Sequence, residues 1–436
     1  MAKLRGNAIV GQSGGPTAVI NQNLVGVIET AHDMPEIQHL LGARHGVKGI
    51  LGESFVDLFK ETKETLEAVA ATPSSALGSI RKKPTPEECL QMFEVMKKHN
   101  VRYFFYIGGN DSAETALIVN QMATEANYEL RCFHVPKTVD NDLRVTDHCP
   151  GYGSAARFVA GALIGDNLDN RSLPGIKINV IMGRHAGFLT AASALARDRD
   201  DDGPHLIYLP ERPITRVQFR DEVKEVYDRL GRCIVAVSEG IVDASAPLND
   251  KGEHLTFAEM ALSEAERFFL DTVGKTLAEK AYKTLKSIGK IERDSHGNIQ
   301  LSGSGLLGDW LANYLKEELG RKLRVRADTF GYLQRSYPGV ISEVDATEAR
   351  MCGRKAVEFA TRNDVDGSVS MLRTAHDGVY GVEYVCTELK EVAKETKCLP
   401  DEYIAATGNY ITPDFIDYAR PLVGTLPTVG YFEGMR

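Results

Sequence analysis

Short apolar runs recur along the chain and end in glycine or polar residues: NAIVGQSGG, RYFFYIGGND, CFHVPKTVDND, INVIMGRHAG, HLIYLPERP, CIVAVSEG and VRADTFGYLQR. Between them lie longer polar-apolar mixtures of helical character, such as Pro86 to His99 and Val217 to Leu230. Strands alternating with helices predict βαβ units and a mainly parallel sheet. In such sheets ligands bind beyond the carboxyl ends of the strands, where these polar tails lie. Two sets of such units, with an irregular charged stretch from about Asn249 to Asn298, predict two α/β domains plus a helical insertion.

Length agrees with that division, since 436 residues exceed one compact domain. No short-period repeat or low-complexity segment is visible. The amino-terminal MAKLRGNAIVGQSGG carries no signal-peptide pattern and no run reaches the length of a membrane helix, so a cytoplasmic protein without a membrane partner is expected. Seven scattered cysteines without CxxC spacing suggest neither a disulfide framework nor a zinc site; they read as mostly buried small hydrophobes. A net charge of −9 argues against a nucleic-acid surface. It also means that an anionic ligand has to be held by a local basic cluster, so Arg and Lys near glycine turns carry information.

Two glycine turns have that character. In GQSGGPTAVIN, Gly11 to Asn21, a predicted strand runs into three glycines and then a helix-like stretch, an arrangement that lets backbone N–H groups and a helix N-terminus approach an anion. YIGGNDSAETA repeats the layout with Asp111 and Ser112 at the turn. A tight strand-helix turn explains the first as well as a phosphate does, and simple N-capping by Asp or Ser explains the second. Two other motifs fail on context. GSGLLG, Gly303 to Gly308, fits GxGxxG but follows no convincing strand, and GQSGG has the wrong offsets for a nucleophile elbow. PKTVDNDL, Pro136 to Leu143, is charged enough to be a solvated turn, because Asp and Asn favour turns by bonding their own backbone.

The order GGND, PKTVDND, GYGSAAR, MGRHAG, SEG and GYLQR, from the first glycine turn to about Arg335, resembles the phosphofructokinase family and within it the pyrophosphate-dependent branch. The resemblance implies reversible phosphoryl transfer from inorganic pyrophosphate to the 1-hydroxyl of fructose 6-phosphate, with Mg2+ on the donor. It also implies two similar three-layer, Rossmann-like α/β domains with mainly parallel sheets and an active site in the cleft between them. The donor domain is expected over 1–151 plus about 334–385, and the sugar-phosphate domain over about 152–333 plus 386–436, with the helical insertion at about 249–298. A homodimer or homotetramer is expected, since members of the family commonly borrow sugar-phosphate ligands from a neighbouring subunit.

Residue roles follow position by position from the resemblance. Asp140 matches the general base, Asp142 its close supporter, and Thr138 a position contacting the sugar phosphate or the transferring group. Gly14, Gly15 and Arg81 match the donor cradle, with Lys82 and Lys83 readable as a solvated basic turn. Met182, Gly183 and Arg184 match the sugar-phosphate loop and an arginine near the transferring phosphate. Glu239 matches a carboxylate on sugar hydroxyls, and Tyr332, Arg335 and Arg326 match the grip on the 6-phosphate. ATP users of the family typically carry glycine where this chain has Asp111 and Lys137; the aspartate obstructs and repels a nucleotide's α-phosphate while the lysine reaches a compact pyrophosphate. Asn110 stands where the family usually has a magnesium-associated aspartate, so Asp111 or phosphate oxygens and water are expected to carry the metal. An arginine common seven residues before Met182 is absent, Gly175 standing there with Lys177 nearby. The alternatives are an ATP-dependent sugar kinase of the same fold and a noncatalytic, regulatory family member; intact Asp140, Asp142 and Arg184 speak against the latter.

Overall fold

The computed structural model describes residues 4–249, 252–264, 305–376, 379–393 and 395–432. Most of the expected insertion, 265–298, lies outside them. In chain order the strands are β1 (Gly6–Gln12), β2 (Ile37–Ala43), β3 (Phe55–Asp57), β4 (Val101–Gly108), β5 (Arg131–Pro136), β6 (Ile176–Ile181), β7 (Leu206–Tyr208), β8 (Cys233–Ser238), β9 (Val325–Thr329), β10 (Gly367–His376) and β11 (Val379–Thr387). Two compact units divide the chain: Met1–Ala155 with Arg335–Lys397, and Ala156–Gln334 with Cys398–Arg436. Residues 386–397 fall in the first unit, whereas the sequence places them in the sugar-phosphate domain. Leu389, Val392 and Ala393 are buried in that unit's core.

The first unit is built on a sheet of order β11-β10-β5-β4-β1-β2-β3. β2, β1, β4, β5 and β10 run parallel, and β3 and β11 close the two edges antiparallel. Successive residues of β4 show why this sheet has helices on both faces. Phe104 and Tyr106 enter one apolar cluster with the helix Pro86–Lys98, while Tyr103, Phe105 and Ile107 enter another with the helices Ile20–His32 and Glu343–Arg362. A strand alternates its side chains between faces, so a continuous apolar run requires cover on both.

Helix Pro86–Lys98 illustrates how legible the local code is. Thr85 and Glu88 form a capping box, Pro86 occupies the first turn, and Cys89, Met92, Phe93 and Met96 form the buried stripe at helical spacing. The helix expected from Val217 starts one residue earlier, Arg216–Leu230, with Thr215 capping it and Gly231 ending it at φ 68°.

The second unit carries the all-parallel sheet β7-β8-β6-β9. Its main core packs Ile178, Val180, Val235 and Val237 against Phe219, Val223, Leu311 and Leu315 of the helices Arg216–Leu230 and Leu306–Leu319. No described helix is long and apolar enough to cross a membrane. Five of the seven cysteines are buried and Cys386 and Cys398 are exposed, and none of the seven is in a disulfide.

Candidate active site

In the first unit the chain leaves β1 toward β2 on one side and later enters β4 on the other, which makes the carboxyl ends of β1 and β4 a topological switch point. Both glycine turns sit there. The Ser13 N–H donates to Ile107 O at 2.9 Å, joining the two strand ends. Gly14 turns at φ 77°, its N–H donating to Ile80 O at 3.0 Å. The Ser13 hydroxyl donates to the same carbonyl at 3.1 Å, and the Ser79 hydroxyl donates to Gly14 O at 2.6 Å. These bonds lace the segment carrying Arg81 to the first turn.

Three cations surround that turn. Lys137 Nζ donates to Gly15 O at 2.7 Å. A side-chain carbon at Gly15 would stand 2.8 Å from Arg335 Nη1 and 3.9 Å from Arg81 Nη2, so both guanidinium groups border the turn. Lys137 is only 2% exposed. Burial, helped by the charges of Arg335 and Arg81 and opposed by Asp140 and Asp142, lowers its pKa from 10.5 to about 7. A lowering of that size is on the order of 5 kcal/mol against the ammonium. The cluster is therefore unfavourable alone and favours a polyanion placed among its members.

The following residues carry the paired carboxylates. Thr138 faces the second turn, its Cβ 3.6 Å from where a Gly109 Cβ would be, and its Oγ1 accepts the Asp140 N–H at 3.1 Å. Asn141 adopts φ 59°, and its Oδ1 accepts the Cys149 N–H at 2.8 Å, a bond eight residues along the chain in place of the local backbone bond that a solvated turn implies. Asp142 Oδ2 accepts from Asn110 Nδ2 at 2.7 Å. Burial and the neighbouring Asp140 charge raise the pKa of Asp142. Beneath the second turn, buried His134 has its pKa lowered to about 4, chiefly by desolvation, and is neutral near pH 7. Its Nε2 lies 2.8 Å from Gly108 O, an acceptor, so that nitrogen bears the proton, and Nδ1 accepts from Ser368 Oγ at 2.8 Å.

Neither turn uses a simple cap. The helix Asn110–Glu125 begins after Gly109, which has no capping side chain, and Asp111 and Ser112 lie inside its first turn. The helix Ile20–His32 starts five residues beyond Gly15, so its N-terminus is not part of that turn as the sequence suggested. Asp111 instead forms an ion pair with Lys83 at 3.0 Å.

In the second unit three motifs meet at the carboxyl ends of β6, β8 and β9. Gln334 Oε1 accepts the Met182 N–H at 3.2 Å, and the Glu239 N–H donates to Ile181 O at 2.9 Å. Ser238 Oγ donates to Gly183 O. Gly240 packs directly on the Arg184 backbone, where any side chain would overlap the Arg184 carbonyl. Met182, Gly183, Arg184 and Glu239 are thus assembled by short contacts. Tyr332 follows the end of β9 and is 42% exposed.

Arg335 and Arg326 have surroundings of their own. Arg335 belongs to the first unit beside Gly15, while Tyr332 belongs to the second. Arg326 lies at the start of β9, paired in register with Lys177, and lines a cavity of about 50 Å³ with Gly175 and Arg324. Lys177 is bound to Asp328 at 2.5 Å. Sequence reasoning overlooked Gln334, His134 and the ion-pairing role of Lys83. Gln334 lies inside GYLQR; His134 sits within the apolar run CFHV and gives no local sign of its partners.

The donor set for a cation is oxygen. Asn110 Oδ1 and Asp142 Oδ1 are both buried and have no hydrogen-bond partner, a state that costs free energy unless something else satisfies them. Among the described residues no cluster of three His, Cys, Asp or Glu side chains has metal-site geometry. The pair therefore fits a hard cation that takes its remaining ligands from phosphate and water, as Mg2+ does.

A sequence model of the family described as Phosphofructokinase matches residues 7–360. The chain is similar to the Pyrophosphate--fructose 6-phosphate 1-phosphotransferase of Rhodospirillum rubrum, with 51% identity over 96% of this chain and 95% of that one. A protein of the same name from Xanthomonas campestris is 36% identical over 99% and 94% of the two chains. Among solved structures, the pyrophosphate-dependent phosphofructokinase of Nitrosospira multiformis matches with a TM-score of 0.79 and 31% identity, covering 98% of this chain and 94% of that one.

Proposed function

Because the chain belongs to the phosphofructokinase family, we propose that it transfers a phosphoryl group reversibly from inorganic pyrophosphate to the 1-hydroxyl of fructose 6-phosphate, giving fructose 1,6-bisphosphate and phosphate. The observation that carries the donor assignment is the buried Lys137 ammonium on Gly15 O, inside a turn also bordered by Arg81 and Arg335. A compact polyanion satisfies such a cluster. Asp111, in the first turn of the helix Asn110–Glu125, is assigned here to obstruct the path of a nucleotide α-phosphate.

In this reading Asp140 takes the proton of the 1-hydroxyl as its oxygen bonds to phosphorus and the bond to the departing phosphate breaks. Asp142, its carboxylate oriented by Asn110, keeps the neighbourhood of the base fixed. Arg81, Lys137 and Arg335 neutralise the oxygens of donor and leaving phosphate. Arg335 is assigned here to the donor and not to the 6-phosphate, because of its position against Gly15. Met182, Gly183, Arg184, Glu239 and Tyr332 are assigned to the sugar phosphate, and Thr138 to the transferring group. When bound, Mg2+ withdraws charge from donor oxygens; Asn110 Oδ1 and Asp142 Oδ1 would hold it, whereas Asp111 Oδ1 is engaged by Lys83. Arg326 stands apart from these residues, which fits a homo-oligomer in which it serves a neighbouring copy.

The test is an assay of fructose 6-phosphate and Mg2+ with pyrophosphate or ATP, followed in reverse from fructose 1,6-bisphosphate and phosphate. Activity with pyrophosphate in both directions supports the proposal. Preference for ATP overturns the donor assignment, and activity with neither donor indicates a noncatalytic family member.

A further inference from the structure

We infer that Lys83 is a positioning residue for donor use: it neutralises and holds the Asp111 carboxylate, so that an aspartate is tolerated beside an anionic donor. The inference rests on the pyrophosphate reading above. Its motive is a conflict within that reading. A carboxylate that repels the α-phosphate of ATP also repels pyrophosphate, and a charge-based exclusion alone weakens both donors. The structure holds the answer in a residue that looked like part of a solvated basic turn.

Lys83 Nζ lies 3.0 Å from Asp111 Oδ1 and 2.7 Å from Glu114 Oε2. The two carboxylates are three residues apart on the helix Asn110–Glu125, so they share a face and would repel each other without a cation between them. The Lys83 side chain is 27% exposed, enough burial to strengthen the pairing over that of a solvated lysine. Partial desolvation works against its ammonium, but bonds to Glu114 and Asp111 outweigh it and raise its pKa. Lys82 has a different and purely local task, pairing with the capping residue Glu88.

Lys83 is also two residues from Arg81, on the segment whose Ile80 carbonyl receives the Ser13 hydroxyl and the Gly14 N–H. One ammonium thus ties the arginine side of the donor site to the helix bearing Asp111. With its carboxylate held against an ammonium and turned toward Lys83, Asp111 acts chiefly by occupying space. Space discriminates between a nucleotide and pyrophosphate, whereas bare charge does not.

The test compares the effect of Lys83→Met in two backgrounds of the full chain, native Asp111 and Asp111→Asn, with pyrophosphate varied at saturating fructose 6-phosphate and Mg2+. In the native background the KM for pyrophosphate should rise on the order of tenfold, the effect of losing one partly buried charged hydrogen bond. The KM for fructose 6-phosphate should stay put, and Lys83→Arg should largely restore donor affinity. In the Asp111→Asn background the same Lys83→Met change should have little effect, because the side chain at 111 no longer carries a charge and only Glu114, one turn further along the helix, loses its partner. An equal rise in both backgrounds would mean that Lys83 touches the donor directly and would overturn the inference. No rise in either background overturns it as well, while wild-type protein inert with pyrophosphate overturns the donor reading and this inference together.

Discussion

Lys137 and Gly15, 122 residues apart in sequence, are joined by a 2.7 Å hydrogen bond that places a buried ammonium inside the first glycine turn. Because burial and the Arg335 and Arg81 charges lower the Lys137 pKa to about 7, its charge is conditional on pH. In the donor-free protein kcat/KM for pyrophosphate should fall as pH rises through that value, since the neutral amine offers no charge. A pH-independent fructose 6-phosphate affinity over the same range is expected from equilibrium binding. Stability carries the opposite sign: between about 7 and the ordinary value of 10.5 the unfolded chain binds the proton that the folded one lacks, so this residue's contribution rises with pH. Thermal melts of wild type and Lys137→Met across pH 7 to 10 check it, the variant losing that part of the slope.

Asp140→Ser should leave the fold and the binding of both substrates largely intact while lowering turnover by roughly 10²- to 10⁴-fold, the range typical of losing a general base. Steady-state rates with circular dichroism as a fold control decide the matter. Near-normal turnover would remove Asp140 from the base role.

Asn110→Asp replaces the amide that donates to Asp142 with a second carboxylate beside it. Without metal the two charges repel, and the raised Asp142 pKa should rise further. The variant should therefore melt several degrees lower than wild type in chelator and recover with millimolar Mg2+, with the gain on adding Mg2+ larger than in wild type. Equal Mg2+ responses in the two proteins would count against a metal at Asn110 Oδ1 and Asp142 Oδ1.

Arg335→Gln separates donor from sugar contacts. Placed against Gly15 beside Arg81, this arginine should govern pyrophosphate, so the KM for pyrophosphate should climb by about ten- to a hundredfold, as for a lost charge-assisted contact, with the KM for fructose 6-phosphate little changed. The reverse pattern would return Arg335 to the 6-phosphate.

Asp111→Gly should open the path to a nucleotide and raise catalytic efficiency with ATP above the wild-type value. Parallel titrations with ATP and pyrophosphate measure it, and an unchanged ATP efficiency would show that donor choice is set by other residues.

The sequence by itself determined the strands β1, β4, β5, β6, β7, β8 and β9, the helices at Pro86 and Arg216, and the fact that chemistry-bearing residues cluster where those strands end. These features are encoded by near neighbours: alternation along a strand, a capping box, a glycine at positive φ. β2, β3 and the hairpin of β10 and β11 escaped. β11 is an edge strand of mostly half-buried residues with no clear apolar face, although the sequence Asp377-Gly378 is itself a hairpin signal. The tertiary structure alone decided that Arg335 stands at Gly15, that Lys83 holds Asp111, and that Asn110 bonds Asp142 across 32 residues. Such pairings depend on the order of strands in the sheet and on which buried groups must satisfy one another. Local pattern carries no record of either, because the free energy that selects the partner is set by desolvation, which exists only once the chain has packed.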